Sequence, residues 1–189
     1  MPDLDATRKL LLAELQEHSL VIGEVTLSSG AVAQYYVDAR RTLLRPRGFH
    51  AAGELIAAAA VEAGASAVGG PATAAILPAC AAIAVPAGAE LSAFFVRGQR
   101  KEHGLQRWVE GPVEAGDRCL VVEDTVTTGG STVSALERMR EEGLEIAGVV
   151  AVVDRLAGGG KRIEAAAEAP YRALVTIDEI YPERPDRDS

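Results

Sequence analysis

Apolar and polar positions follow two periods along the chain, and together they predict an α/β protein. Apolar runs without strict alternation, such as 118–122 and 146–154, are typical of parallel strands that are covered on both faces. Between them, residues 131–142 form an amphipathic segment of helical length. A strand, a helix and a second strand of this size fit one right-handed βαβ unit. The pattern therefore predicts a mostly parallel central sheet flanked by helices.

The N-terminal part of the chain predicts a smaller structure of another kind. Residues 21–29 and 34–38 alternate enough for an antiparallel hairpin that turns at Ser29-Gly30. This hairpin would form a small N-terminal hood over about residues 18–40. The other predicted elements are helices at 46–64, 73–82 and 161–168, strands at 67–70, 93–96 and 171–176, and a frayed polar tail at 182–189.

Composition favours one globular domain that spans residues 1–189. Hydrophobic residues make up 48% of the chain and charged residues 24%, which is close to globular averages and argues against disorder. The net charge of −8 gives no support for sequence-independent binding to nucleic acid. An anionic ligand must therefore meet a local basic patch.

Several features predict a cytoplasmic protein without a membrane partner. Cys80 and Cys119 lie far apart and form no Cys-x-x-Cys pattern, so we interpret them as buried free thiols in a reducing compartment. The N-terminus does not have the shape of a signal peptide. Residues 63–89 carry no charge over a length that could span a membrane. Prolines and glycines interrupt this segment, which predicts a buried strand, loop, helix and strand.

The segment 121–132 carries the strongest chemical signal in the sequence. An apolar run ends at two adjacent acids, Glu123 and Asp124, and a loop of hydroxyl residues and glycines then leads into the amphipathic segment. The acids are expected at the carboxyl end of a strand, where open α/β sheets bind ligands. Glycines let backbone amides approach a phosphate, and Ser131 or Thr132 can cap a helix whose N-terminus favours an anion. These features predict a sugar-phosphate site, although solvated acids on an ordinary turn would explain the acid pair alone.

The whole string resembles the phosphoribosyl pyrophosphate (PRPP) signature of type I phosphoribosyltransferases. It is neither a Walker A loop nor a Gly-x-Gly-x-x-Gly dinucleotide fingerprint. The resemblance implies the type I phosphoribosyltransferase fold, and it places the ribose hydroxyls of PRPP on Glu123 and Asp124. It also implies that PRPP is bound by the loop residues Thr125, Thr127, Thr128, Gly129, Gly130 and Ser131.

Basic residues cluster between glycines at about residues 97–111, without an apolar period. This composition predicts a mobile lid that closes on pyrophosphate, while a solvated loop without a ligand fits the segment equally well when it is taken alone. The string 95–104 resembles the flexible catalytic loop of orotate phosphoribosyltransferases. By that resemblance Arg97, Lys101 and His103 bind PRPP and stabilise the leaving pyrophosphate.

Two positions depart from the family pattern. Gly98 stands where the family usually has a lysine, and Ala74 stands where some members have another. Arg100 is a candidate substitute for the first of these charges. The catalytic set implied by the resemblance is Arg97, Lys101, His103 and Asp124.

Residues 27–38 are similar to the family's hood over the orotate ring. Tyr35 and Tyr36 match an aromatic pair, one of which stacks on the base; without the family they would be interpreted as one buried and one exposed tyrosine of an edge strand. Thr127 and Arg155 complete the implied orotate contacts, with the Arg155 guanidinium paired to the orotate carboxylate. Taken alone, an arginine that follows a strand is more often a surface residue.

The resemblance covers about residues 10–176 and implies an Mg²⁺-dependent orotate phosphoribosyltransferase of de novo pyrimidine synthesis. Such an enzyme converts orotate and PRPP into orotidine 5′-monophosphate and pyrophosphate. Mg²⁺ would be held mainly by PRPP and water, without a direct protein ligand. The family also implies a homodimer whose lid covers the neighbouring subunit's site. Two alternatives stay open: a phosphoribosyltransferase for another nucleobase, and a non-catalytic PRPP-binding regulator of the same fold.

Overall fold

A computed structural model describes residues 2–26, 32–99 and 107–187. Its helices are α1 Leu4–His18, α2 Arg40–Leu43, α3 Pro46–Glu62, α4 Ile76–Ile83, α5 Gly130–Glu141, α6 Gly159–Ala167 and α7 Ile177–Ile180. Its strands are β1 Leu20–Thr26, β2 Val32–Val37, β3 Ala67–Pro71, β4 Ser92–Val96, β5 Val109–Glu110, β6 Arg118–Val126, β7 Glu145–Asp154 and β8 Tyr171–Thr176. A short 3-10 turn, Pro86–Gly88, follows α4.

The central sheet has the strand order β5-β4-β3-β6-β7-β8. The five strands β4, β3, β6, β7 and β8 run parallel to one another, and β5 pairs antiparallel with β4 at one edge of the sheet. The predicted mostly parallel sheet with flanking helices is therefore confirmed. From β3 the chain first moves outward to β4 and later returns to β6 on the other side. This makes the gap between β3 and β6 the switch point, where open α/β sheets bind their ligands.

Residues of the central strands alternate between two cores, one on each face of the sheet. On one face Val68, Val122 and Val150 pack in the same cluster as residues of α1 and α3. On the other face Val121 and Val149 pack with residues of α5 and α6. Both faces are covered, which explains why these strands read as continuous apolar runs in the sequence.

The hood is an antiparallel pair of strands, as predicted. β1 and β2 place Leu20 opposite Val37 and Val21 opposite Tyr36. The turn predicted at Ser29-Gly30 lies outside the described residues. β2 leads directly into α2, so the end of the hood is carried to the edge of the sheet.

Three local predictions need correction or comment. β6 does not end before the acid pair but continues to Val126, because its backbone keeps pairing with β7 as far as Asp154. α4 begins at Ile76, three residues later than predicted, and Cys80 on this helix is exposed rather than buried. Cys119 is buried, as predicted.

The charge-free stretch 63–89 folds as β3, a loop, α4 and the 3-10 turn. Its first three parts match the predicted strand, loop and helix, while the predicted second strand is the 3-10 turn instead. Across the three described ranges, no helix has the length and apolar character that crossing a membrane requires.

The prediction of a frayed tail is wrong for residues 182–187. The Arg184 side chain is only 9% exposed, and it forms ion pairs with Asp178 and Asp186 at 2.8 Å each. The hydroxyl of Tyr35 in the hood donates a hydrogen bond to Asp186 Oδ2 at 3.1 Å. A polar sequence at a chain end therefore gave the wrong prediction, because its partners lie in α7 and in the hood.

Candidate active site

A cleft of about 350 Å³ opens at the carboxyl edge of the sheet, at the switch point between β3 and β6. Four parts of the chain form its walls: the end of the hood, the loop after β3, the end of β6 with its loop, and the residue after β7. The lining residues are Tyr36, Val37, Asp38, Arg40, Pro71, Ala72, Thr73, Ala74, Glu123, Asp124, Thr125, Thr127, Ser131 and Arg155. Several predicted site residues from distant parts of the sequence thus meet in one cleft.

The loop after β6 has the geometry of an anion site. A second hollow of about 160 Å³ is lined by Thr125, Val126, Thr127, Thr128, Gly129, Gly130, Ser131 and Thr132. Gly129 has φ 73°, and a Cβ at this position would lie 2.8 Å from Cγ1 of Ile163, so the turn requires glycine. The loop leads into the N-terminus of α5, which has twelve residues. Backbone amides, threonine hydroxyls and a helix N-terminus together suit a phosphate.

The predicted side-chain cap of α5 is wrong. Gly129 is the N-cap residue, and no side chain caps the helix. Ser131 is exposed, and the Thr132 hydroxyl donates instead to Glu123 Oε2 at 2.7 Å. The first amides of the helix are consequently left without a side-chain acceptor, which favours an external anion.

The acid pair lies within β6, and its two members have different surroundings. Glu123 is 4% exposed, and burial raises the pKa of its carboxyl to about 7 despite the hydrogen bond from Thr132. Asp124 is half-buried; burial raises its pKa too, opposed by the Thr125 backbone amide and the Arg40 guanidinium. Both side chains line the cleft. Two poorly solvated carboxylates at this position are suited to accept hydrogen bonds from sugar hydroxyls.

The two tyrosines of the hood take opposite positions, because successive side chains of a strand point to opposite faces. Tyr36 lines the cleft, whereas Tyr35 is 3% exposed and is not among the lining residues. The prediction that Tyr35 contacts the base is therefore corrected: its ring lies behind the cleft wall. Alternation along the strand predicts one buried and one exposed tyrosine, and Tyr35 is the buried one.

Arg155 is held at the cleft by backbone and side-chain contacts. Its amide donates to the Val126 carbonyl at 2.9 Å. The preceding Asp154 accepts hydrogen bonds from the Leu156 amide at 2.7 Å and from the Tyr171 hydroxyl at 2.8 Å, which fixes the turn. The guanidinium lies over the Tyr35 ring, 5.5 Å from its centre. Its buried Nε has no hydrogen-bond partner within the described part of the chain, so it can donate to a ligand.

Asp38 and Arg40 line the cleft but were missed in the sequence. Arg40 donates to both carboxylate oxygens of Asp38, from Nε at 2.8 Å and from Nη2 at 3.3 Å. This hydrogen bond and the charge of Asp38 raise the pKa of Arg40 above its ordinary value. The available signal was an acid and a base two residues apart, directly after a strand of the hood. Arg40 supplies a positive charge to the cleft. The loop after β3 supplies none, because it carries Ala74 instead of a basic residue.

Of the predicted lid, the structure describes the two ends. The Arg97 amide donates to the Trp108 carbonyl at 2.9 Å, and β4 and β5 pair beyond this point. Arg138 of α5 donates to the Arg97 carbonyl at 2.7 Å and lies over the Trp108 ring at 4.3 Å. Both ends are thus fixed to α5. Lys101 and His103 lie outside the described residues, as does Arg100.

The side chain of Arg97 does not line the cleft. Its Nη1 pairs with Glu110 Oε1 at 3.3 Å. Gly98 is exposed, and no atom of the described residues lies within 4 Å of the position of a Cβ. The structure thus brings the signature loop, Tyr36 and Arg155 together, and it leaves Arg97 beside the cleft.

Comparisons with known proteins agree with this geometry. The phosphoribosyl transferase domain family matches residues 49–169. An orotate phosphoribosyltransferase of Streptomyces avermitilis is 45% identical, over 94% of this chain and 98% of that protein. A crystal structure of the Mycobacterium tuberculosis orotate phosphoribosyltransferase with Fe(III) dicitrate superposes with a TM-score of 0.84 and 39% identity, over 93% of this chain and 99% of that one.

A second crystal structure of the M. tuberculosis enzyme holds PRPP. It superposes with a TM-score of 0.79 at 35% identity and covers 92% of this chain and 98% of that one. The chain therefore belongs to the phosphoribosyl transferase domain family and, within it, to the orotate phosphoribosyltransferases.

Proposed function

We propose that the protein transfers the phosphoribosyl group of PRPP to orotate, giving orotidine 5′-monophosphate and pyrophosphate in pyrimidine synthesis. The observation that carries the proposal is the arrangement of one cleft. A phosphate loop and an acid pair on β6 face a tyrosine and an arginine that come from the hood and from β7. We call residues 123–131 the donor side of the cleft, and Tyr36 with Arg155 its acceptor side.

On the donor side, each part of PRPP has a complementary group. The loop of Thr127 to Ser131 and the N-terminus of α5 would bind the 5′-phosphate through amides and hydroxyls. Glu123 and Asp124 would accept hydrogen bonds from the ribose hydroxyls. The loop after β3, with its backbone amides, and Arg40 would lie along the pyrophosphate.

On the acceptor side, the chemistry suits a flat ring that carries a carboxylate. The Tyr36 ring offers a π surface for stacking on the base. The Arg155 guanidinium offers a donor without a partner, which suits the carboxylate of orotate. Thr127, on the donor side, also lines the cleft and would contact the base edge.

In the reaction, a ring nitrogen of orotate bonds to the anomeric carbon while the bond from that carbon to pyrophosphate breaks. The sugar gains oxocarbenium character in the transition state, and Asp124 would stabilise that positive charge. Arg97, Lys101 and His103 of the lid would stabilise the growing negative charge on pyrophosphate. Positioning and electrostatics thus dominate over proton transfer.

Asp124 and retained waters would hold the Mg²⁺ that accompanies PRPP, and the ion would neutralise negative charge on the pyrophosphate. The residues present fit that role. Asp124, half-buried at the cleft, can contact such an ion through the waters that Mg²⁺ retains.

The test of the proposed function is a turnover assay with PRPP, Mg²⁺ and one of four acceptors: orotate, uracil, hypoxanthine or adenine. Orotate should be consumed at a rate far above the other three, because uracil lacks the carboxylate and the purines differ in shape. Turnover of another base in preference to orotate would reassign the acceptor. PRPP binding without turnover of any base would identify a non-catalytic regulator.

We also propose that the enzyme is a homodimer in which each lid serves the partner's site. Co-expressed Lys101→Ala and Asp124→Asn chains would then form mixed dimers in which one site carries both defects and the other carries neither. Random pairing predicts about a quarter of the unaltered activity in the mixture, against near zero for each variant alone. No recovery in a mixture that contains mixed dimers would assign the lid to its own subunit's site.

A further inference from the structure

Residues near the C-terminal end pack against Tyr35, behind the acceptor side of the cleft. The ring of Tyr181 meets the Tyr35 ring edge-on, with centres 5.5 Å apart and planes at 80°. The Tyr35 hydroxyl donates to Asp186 Oδ2 at 3.1 Å. Arg184 bonds the other oxygen of the same carboxylate, Oδ1, from Nη1 at 2.8 Å. We call Tyr181, Arg184 and Asp186 the tail clamp.

The tail clamp is itself anchored to the body of the protein. Arg184 Nε donates to Asp178 Oδ1 of α7 at 2.8 Å, so this guanidinium joins two carboxylates. Its side chain is 9% exposed, which limits competition from water. A partly shielded arginine that bridges two acids has few alternative rotamers. The Asp186 side chain is 50% exposed, and its two carboxylate oxygens accept hydrogen bonds from Arg184 and from the Tyr35 hydroxyl.

The opposite side of Tyr35 supports Arg155. The Arg155 guanidinium lies over the ring at 5.5 Å, which is within the range of a cation–π contact. Tyr35 itself is 3% exposed and lies behind the cleft wall, so it cannot touch a ligand there. Its contacts instead connect the tail clamp on one side to a cleft-lining arginine on the other.

An arginine side chain has many rotamers, and fixing one of them before the ligand arrives lowers the entropy lost on binding. The Asp154 turn fixes the backbone of Arg155 but leaves the long side chain free. Among the described residues, the guanidinium of Arg155 lies over the ring of Tyr35. Orientation of the guanidinium therefore depends on a ring that residues at the end of the chain hold in place.

We propose that Tyr35 and the tail clamp are positioning residues for acceptor recognition: they orient Arg155 toward the carboxylate of a planar acceptor base. The proposal rests on the proposed function, since it assigns a partner to the carboxylate of orotate. It makes the C-terminal residues part of the specificity of the site, although they lie outside the cleft.

The test measures steady-state kinetics of Asp186→Ala and Tyr35→Phe. Asp186→Ala removes the acceptor of both Tyr35 and Arg184, whereas Tyr35→Phe removes only the first of these hydrogen bonds. Each variant should raise the KM for orotate about five- to tenfold, while kcat and the KM for PRPP stay within about twofold. Asp186→Asn should restore most of the affinity, because its amide oxygen can still accept from Tyr35. Glu183→Ala, which removes an exposed carboxylate from the same segment, is the matched control and should behave like the unaltered protein.

Tyr35→Phe keeps the ring and its packing, so it remains informative if Asp186→Ala loosens the fold. An unchanged KM for orotate in a folded Tyr35→Phe protein would overturn the proposal. Equal rises in both KM values would also overturn it, because they would indicate general loosening. If the unaltered protein does not turn over orotate, the proposed function fails and this inference fails with it. If the unaltered protein turns over orotate and the variants keep its KM for orotate, only this inference is overturned.

Discussion

The donor side and the acceptor side of the cleft are assembled in different ways. The donor side comes from one continuous segment, 123–131, which runs from the end of a strand through a loop into a helix. The acceptor side joins Tyr36 of the hood to Arg155 after β7, and behind it Tyr35 bonds Asp186, 151 positions away in sequence. One side is a local structure, whereas the other exists only in the folded chain.

This difference indicates which substitutions should impair the recognition of each substrate. A change on the donor side should act at the changed residue, since strand, loop and helix hold one another. A change on the acceptor side should act through several contacts, since each group depends on a neighbour from another element. Substitutions on the two sides should therefore separate in their effects on PRPP and on orotate.

The largest effect is expected from Asp124→Asn on the donor side. It removes a negative charge opposite the cationic sugar of the transition state, which should lower kcat by about 100-fold or more. The thermal unfolding temperature should not fall, because burial already disfavours the charged form and raises the pKa of this carboxyl. Steady-state kinetics with PRPP and orotate, together with a thermal melt, measure both quantities.

The matched control is Glu145→Gln, which removes an exposed carboxylate from the first residue of β7. This end of the strand lies opposite to the carboxyl edge that holds the cleft. It should leave both kcat and the unfolding temperature unchanged. A kcat for Asp124→Asn within threefold of the unaltered value would remove this residue from the catalytic set.

Arg155→Ala should produce the next largest effect, and on the other substrate. Loss of a charge-assisted contact to the orotate carboxylate should raise the KM for orotate by about 30-fold, with the KM for PRPP unchanged. Arg155→Lys should recover only part of this loss, because an ammonium lacks the planar fork. A comparable change at Arg172→Ala, an exposed arginine that pairs with Glu62, should have no kinetic effect. An equal rise in both KM values for Arg155→Ala would contradict the separation of the two sides.

Glu123→Gln tests the donor side through the pH dependence of stability. Burial raises the pKa of Glu123 to about 7 from 4.5, so between these values the folded protein keeps a proton that the unfolded chain has lost. Stability should therefore fall as pH rises through this window, by up to about 1.4 kcal/mol for each unit. The Gln variant lacks this decline and should be less sensitive to pH between 5 and 7.

Urea unfolding at several pH values measures this difference. The free energy of unfolding of the unaltered protein, relative to that of the variant, should decrease from pH 5 to pH 7 and change little above it. Parallel pH profiles for the two proteins would show that ionisation of Glu123 is not linked to folding. Glu145→Gln again serves as the control, because an exposed carboxylate should leave the profile unchanged.

The contrast between the two sides also explains what the sequence could predict. The signature loop was predictable because its strand, glycines and hydroxyls are consecutive, and each type has a local physical reason. The end of β6 was not predictable, because its backbone keeps pairing with β7 as far as Val126 although the side chains there are polar. Strand alternation alone predicts that Tyr35 and Tyr36 lie on opposite faces, one buried and one exposed.

Other features could not be predicted because they depend on tertiary contacts. The order of residues 182–187 depends on the pairing of Arg184 with Asp178 and on the bond from Tyr35, which no sequence window displays. The exposure of Cys80 depends on which face of α4 packs on its neighbours. Arg40 reaches the cleft because the hood ends at the sheet edge, a fact of topology rather than of composition.

The smallest effect is expected from Gly98→Lys, a substitution that adds a cation at the start of the lid, which is proposed to contact the pyrophosphate of PRPP. Gly98 is exposed, and within the described ranges a Cβ there would meet no atom within 4 Å, so the new side chain should clash with none of these residues. One added cation near pyrophosphate should raise kcat/KM for PRPP by about threefold to fivefold at low salt, and by less at high salt. The contacts proposed for orotate, Arg155 and Tyr36, do not include residue 98, so the KM for orotate should stay the same. Ala87→Lys adds the same charge in the 3-10 turn beyond α4 and should change neither value. If the two lysines raise kcat/KM equally, the gain reflects net charge rather than position, and a cation at residue 98 then has no specific role toward pyrophosphate.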